Sequence, residues 1–330
     1  MEFGLSMPIR GPLANAADIL TLAKKAEDLG YDYLTVADHI VVPTAISSDY
    51  PYSEDGNFPW SEGGSVECME QFTLLSWLAG VTDKIKLLTS VTVVPHRNPL
   101  FMAKSLATLD QLAKGRINFG CGAGWMREEF EALGLPPFDA RGKVTNEYIA
   151  AIKAVWTEAR PNFDGEFVKF SNIGMDPKPV QKPHPPIWIG GESLPAMRRT
   201  VALGDVWYPF GSNPKFRMDT LETYKTRVDR LHGLAEEAGR DPASIGLAYN
   251  CAFHDEQTQE HMDGGRLLCT GSPEQRAEDI RNFANVGTTS MIMNVVANDL
   301  TAMLERMEEF ATEVMPRIQM PSSDTAKRAG

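Results

Sequence analysis

Six short stretches carry residues whose types and spacing suit chemistry. Asp38-His39 ends an apolar run and opens a long aromatic-rich segment. A histidine there can carry a proton near neutral pH, and an adjacent carboxylate can fix its ring. The competing reading is a histidine that satisfies loop backbone groups. Thr89-Ser90-Val91-Thr92 places small polar residues inside an apolar run. They are either donors beside a ligand or ordinary β-branched strand residues. Gly120-Cys121-Gly122-Ala123-Gly124-Trp125 alternates glycines, which lets a flat ligand or another backbone come close. The spacing is GxGxG, without the dinucleotide fingerprint and its downstream acid. Ile189-Gly190-Gly191-Glu192-Ser193 feeds Leu194-Pro195 and a helix, the arrangement that binds phosphate through backbone N–H groups. Glu192 argues against that, and a plain tight turn is the alternative. Tyr208-Pro209-Phe210 and Tyr249-Asn250-Cys251 either line a pocket or simply pack.

The elements that must position these residues alternate. Eight apolar, β-rich runs fall at 3–7, 32–37, 85–94, 116–121, 186–190, 205–210, 245–252 and 289–296. Most are apolar on both parities, as in a parallel sheet covered on both faces. Segments of helical period separate them. Residues 16–29 put Ile19, Leu22, Ala23, Ala26 and Leu29 on one stripe, with Gly30 as the stop. Asn98-Pro99 reads as N-cap and first turn, and Ser272-Pro273-Glu274-Gln275 as a capping box. Further helices are expected near 66–80, 126–133, 141–158, 193–203, 217–238 and 299–314. Eight strand–helix units predict a (β/α)8 TIM barrel over 1–316, followed by a polar tail at 317–330. Insertions are expected after strand 2 (40–66), before strand 5 (159–185, with a hairpin around 163–167) and after strand 7 (253–272). The first and third follow strands, which places them on the catalytic face. Tyr50, Tyr52, Phe58, Trp60 and Trp125 suggest an apolar or aromatic substrate pocket.

Composition removes several classes. The 330 residues carry a net charge of −12, which disfavours nucleic acid as the partner. The four cysteines are scattered, without metal-ligand spacing, and fit a reducing, cytoplasmic compartment. Neither a signal peptide nor an apolar run long enough to cross a membrane is visible. The six histidines do not cluster, so no metal is expected. P-loop, HExxH and GxSxG motifs are missing.

The run from Pro95-His96-Arg97-Asn98-Pro99 through Asp110 and Gly115-Arg116 to Gly120–Trp125 resembles the luciferase-like monooxygenase superfamily. Asp38-His39, Glu128-Glu129-Phe130, Arg141-Gly142, Pro185–Gly191 and Gly204-Asp205 extend the resemblance to strand 7. Within the superfamily the chain looks most like the deazaflavin-dependent branch. The resemblance implies His39, with Asp38, as the acid/base centre. It implies a non-prolyl cis peptide at Ser90-Val91 that props the cofactor ring, with Gly122 and Ala123 passing the ring and ribityl chain. It implies that Gly190, Gly191, Glu192 and Ser193 take the phosphate, although Glu192 stands where a glycine is usual. The loop at 40–66, with Trp60 and Trp125, would cover a small-molecule substrate. The implied cofactor is an 8-hydroxy-5-deazaflavin coenzyme, with FMN as the alternative, and the implied assembly is a homodimer. The expected activity is hydride transfer. The alternatives are an FMN-dependent monooxygenase served by a separate cofactor-reducing enzyme, or a non-catalytic flavin-binding barrel.

Overall fold

The computed structural model describes residues 1–59, 67–252, 254–262, 264–295 and 297–318. Trp60 and the tail beyond 318 lie outside the described residues. The strands are β1 (Glu2–Ser6), β2 (Tyr33–Val36), β3 (Lys86–Thr89), β4 (Ile117–Gly122), β5 (Ile187–Gly190), β6 (Val206–Tyr208), β7 (Gly246–Cys251) and β8 (Thr288–Met293). Each pairs in parallel with the next, and β8 closes on β1 through Phe3↔Met291 and Gly4↔Ile292. The ring is therefore a closed (β/α)8 barrel.

Helices α1 (Ala16–Asp28), α2 (Gln71–Val81), α3 (Pro99–Leu112), α4 (Arg141–Thr157), α5 (Leu194–Leu203), α6 (Leu221–Glu237), α7 (Pro273–Val286) and α8 (Leu300–Glu309) cover its outside. Their starts follow the side chains that cap them. The Asn98 side chain accepts from the N–H groups of Leu100 and Phe101, and Ser272 and Gln275 form a reciprocal capping box. The α1 stripe of Ile19, Leu22, Ala23 and Ala26 is buried against the barrel as its period requires.

Two cores result. The larger lies between strands and helices; the smaller fills the barrel with Tyr33, Leu88, Trp188, Tyr208, Ala248 and Ile292. The N-terminal end is closed by Glu2, which accepts from Lys86 Nζ at 2.5 Å and from the Tyr33 hydroxyl. The C-terminal end stays open.

Two places that bear on the site differ in detail from the expected elements, and the first contains the cis peptide that the resemblance implied. The run at 85–94 is not one strand. It breaks after Thr89 at a cis Ser90-Val91 peptide and resumes as Thr92–Val93, which pairs with Cys121 and Gly122 of β4. No described residue of the expected insertion at 253–272 lines the cavity. Arg266 forks onto Asp279 at 2.7 and 2.8 Å, His254 lies 3.0 Å from Arg276, and His261 lies 3.1 Å from Asp219 in the loop after β6. The segment before β5 does contain a hairpin, Phe163–Asp164 with Lys169–Phe170.

Candidate active site

The C-terminal mouth holds a cavity of about 620 Å³, within the range of small-molecule and cofactor pockets. His39, the Ser90-Val91 bulge, Gly122, Ala123, Trp125 and the turn from Gly190 to Ser193 all line it.

His39 is fixed by a residue distant in sequence. Its Nδ1 lies 2.8 Å from Glu129 Oε2, while Glu129 Oε1 accepts from the N–H groups of Ile40 at 2.8 Å and Val41 at 3.2 Å. Burial opposes the charge on Glu129, but the His39 hydrogen bond, the neighbouring His96 and the Ile40 N–H outweigh it and hold the carboxyl below its ordinary range. The carboxylate accepts, so His39 donates from Nδ1.

Asp38 is not the group that orients His39. Its carboxylate takes both arms of Arg97, at 2.7 and 2.8 Å, and the Val93 N–H at 2.9 Å. These three bonds form a buried link between the ends of β2 and β3. Asp38 therefore belongs to the scaffold. Removing one member of a buried ion pair costs about 3–5 kcal/mol.

The glycines give room to the neighbouring strand, and Gly122 and Gly190 also border the cavity. A Cβ on Gly122 would stand 2.6 Å from Val91 Cγ2, one on Gly190 3.1 Å from Val91 Cγ1, and one on Gly120 would collide with the Thr89 carbonyl. The missing side chains leave room for the bulge, and Val91 in turn presents an apolar surface at the mouth.

The turn after β5 has the features of an anion site. Gly191 has φ +112°, a conformation few other residues adopt, and Ser193 caps α5 by accepting from Ala196 N–H. Arg199, 5% exposed, reaches the same cavity from the second turn of α5. Its Nε donates to Asn146 Oδ1 at 2.5 Å and Nη2 to the Gly142 carbonyl at 3.1 Å, and it pairs with no carboxylate among the described residues. Burial lowers its pKa. A desolvated guanidinium without a counter-ion beside a helix N-terminus fits a phosphate. Arg141 flanks it, stacked on Phe138 at 3.9 Å. The Glu192 side chain is spent elsewhere: it accepts from Phe210 N–H and Asn213 Nδ2, each at 2.8 Å, and burial raises its pKa. Only the backbone at 192 is left for an anion.

The segment after β2 forms an aromatic wall. The Tyr50, Phe58 and Trp125 rings lie 5.0–5.2 Å apart pairwise, and Tyr52 packs on Phe210 at 4.8 Å. Glu128 pins this segment by accepting from the N–H and hydroxyl groups of Ser47 and Ser48, which brings its own pKa down to about 2 despite some burial.

Every expected site residue among those described borders one cavity. Reading the sequence for chemistry missed Arg199 and the role of Glu129. The signal for Arg199 was available: it lies three residues after Ala196, on the stripe that α5 buries.

A family model for luciferase-like monooxygenases matches residues 1–263. The chain belongs to this family. A luciferase-like relative in Pseudomonas putida, an FMNH2-dependent dimethylsulfone monooxygenase, is 31% identical over 207 residues, 62% of this chain and 54% of that one. An uncharacterised protein of Mycobacterium tuberculosis is 35% identical over 168 residues, 51% of this chain and 58% of the relative, so the match spans little more than half of it. Two solved structures share the luciferase-like barrel. An F420-dependent secondary alcohol dehydrogenase superposes with a TM-score of 0.75 at 18% identity, covering 97% of this chain and 99% of that one. The FMN-bound oxygenating component of a Pseudomonas putida Baeyer-Villiger monooxygenase gives 0.70 at 17%, with the same coverages. Members of the family are oxidoreductases that use flavin-type cofactors.

Proposed function

We propose that this luciferase-like protein transfers a hydride between a deazaflavin coenzyme and a small organic substrate bearing a hydroxyl or carbonyl group. The observation that carries the reading is the His39–Glu129 pair on the cavity wall. Arg199, Arg141 and the Gly191–Ser193 turn would hold the cofactor phosphate, and Val91 would back its ring. When bound, the cofactor supplies a ring carbon that accepts or gives a hydride. His39 takes the substrate hydroxyl proton at Nε2 as the C–O bond becomes a carbonyl, and returns it in the reverse direction. Glu129 holds Nδ1–H and stabilises the imidazolium. The aromatic wall excludes water and orients an apolar substrate.

A second reading, an FMN-dependent monooxygenase supplied by a separate reductase, is favoured by the identity to the dimethylsulfone monooxygenase. Titration with the deazaflavin coenzyme and with FMN, followed by ring fluorescence, tests the choice. Tight deazaflavin binding with weak FMN binding, and His39→Ala that binds but does not turn over short alcohols, supports hydride transfer. The opposite preference supports the monooxygenase, and binding of neither refutes both.

A further inference from the structure

One hydrogen-bonded chain runs along the cavity lining. Asn250 Nδ2 donates to the Tyr208 hydroxyl at 2.8 Å, and that oxygen lies 2.9 Å from Ser90 Oγ. All three residues border the cavity. The Tyr208 ring is locked inside the barrel, edge-on to Trp188 at 5.4 Å. Burial pushes its pKa up, so the phenol keeps its proton.

An amide nitrogen only donates, so Tyr208 accepts from Asn250. Across the 2.9 Å contact either hydroxyl can donate. When Tyr208 gives its one proton to Ser90 Oγ, the Ser90 proton has no acceptor among the described residues. The Ser90 backbone is held as well, its N–H donating to the Val36 carbonyl at 2.8 Å. In that arrangement the hydroxyl proton is available to the cavity that Ser90 lines.

We infer that Asn250 and Tyr208 are positioning residues that orient Ser90 as a hydrogen-bond donor to an acceptor atom, a carbonyl oxygen or ring nitrogen, of the bound heteroaromatic cofactor. The inference rests on the cofactor reading above. Each link polarises the next, so the terminal donor is stronger than an isolated serine hydroxyl. A donor at the ring favours the more electron-rich reduced form.

The test is binding and midpoint potential, without any substrate. FMN and the deazaflavin coenzyme are titrated into wild type, and the tighter ligand is used throughout. Ser90→Ala, Asn250→Leu and Tyr208→Phe are each expected to weaken binding about 3- to 10-fold, the effect of one lost hydrogen bond. Each is expected to move the bound cofactor's potential to more negative values. In the Ser90→Ala background, Asn250→Leu should add less than about twofold, because its effect runs through Ser90. Tyr208→Phe deletes one atom and keeps the ring packing, so it serves if Asn250→Leu does not fold. Additive losses in the double variant overturn the inference, as do single variants with unchanged affinity and potential. Failure of wild type to bind either cofactor overturns the cofactor reading and this inference together.

Discussion

Arg199 offers the sharpest test of the anion site. Arg199→Gln keeps a donor for Asn146 and removes the charge. Arg199 is 5% exposed, so a phosphate there would meet a poorly screened cation. A charge-assisted hydrogen bond contributes about 1.5–3 kcal/mol, which corresponds to roughly a 10- to 150-fold change in affinity. The α5 N-terminus and the Gly191 turn remain in the variant and preserve part of the binding. Riboflavin, which lacks the phosphate, provides the control. Fluorescence titration should show FMN binding weakened by that factor and riboflavin binding unchanged. The free variant should unfold at the same or a higher temperature, since a buried cation without a counter-ion has been neutralised. Parallel losses for FMN and riboflavin, or no loss for either, would refute a phosphate at Arg199.

Three further outcomes follow from the geometry. Glu129→Gln presents an amide to His39 Nδ1 and favours the opposite tautomer; nitrogen NMR of the imidazole should show the proton on Nε2, and turnover should fall about 10²- to 10⁴-fold with cofactor affinity retained. Gly122→Ala should destabilise by about 1–3 kcal/mol through the clash with Val91, and Val91→Ala in the same chain should recover most of it in thermal melts. His254 has its pKa lowered to about 3 by burial and by Arg276. Folding thus favours its neutral form, and the stability this gives is complete above the ordinary value of 6.5 and is lost as pH falls from 6.5 toward 3. The slope approaches about 1.4 kcal/mol per pH unit. Urea midpoints at pH 7 and 4.5 should converge in His254→Gln relative to wild type.

The barrel was legible because its signals are local. Two-sided apolar strands, the Asn98 and Ser272 caps and the α1 stripe each declare themselves within a few residues. The site was legible as strand ends, since a barrel gathers those at one face. What the sequence concealed was pairing. Asp38 and Glu129 are both carboxylates near His39, one adjacent in the chain and one 90 residues away, and only the fold shows that Arg97 claims the first. The glycines of β4 looked like ligand clearance, but whether a ligand or a neighbouring side chain fills the space above a glycine depends on the partner strand, here the bulge at Val91. The partners of the insertion after β7, Asp279 and Arg276 on α7 and Asp219 after β6, likewise lie at distances along the chain that no local signal reports.

The one-turn helix Arg127–Ala132 divides two tasks between neighbouring residues. Glu128 holds the serines at the base of the aromatic segment, and Glu129 holds the histidine. The aromatic segment and the histidine thus hang from adjacent side chains, and they meet again where the Phe58 ring lies 5.5 Å from the His39 ring. Evolution, or a protein engineer, can exchange Tyr50, Tyr52 and Phe58 for other contours while the two serines keep the segment attached. An exchange at Tyr50 or Tyr52 leaves both anchors in place, whereas one at Phe58 also changes what the His39 ring packs against.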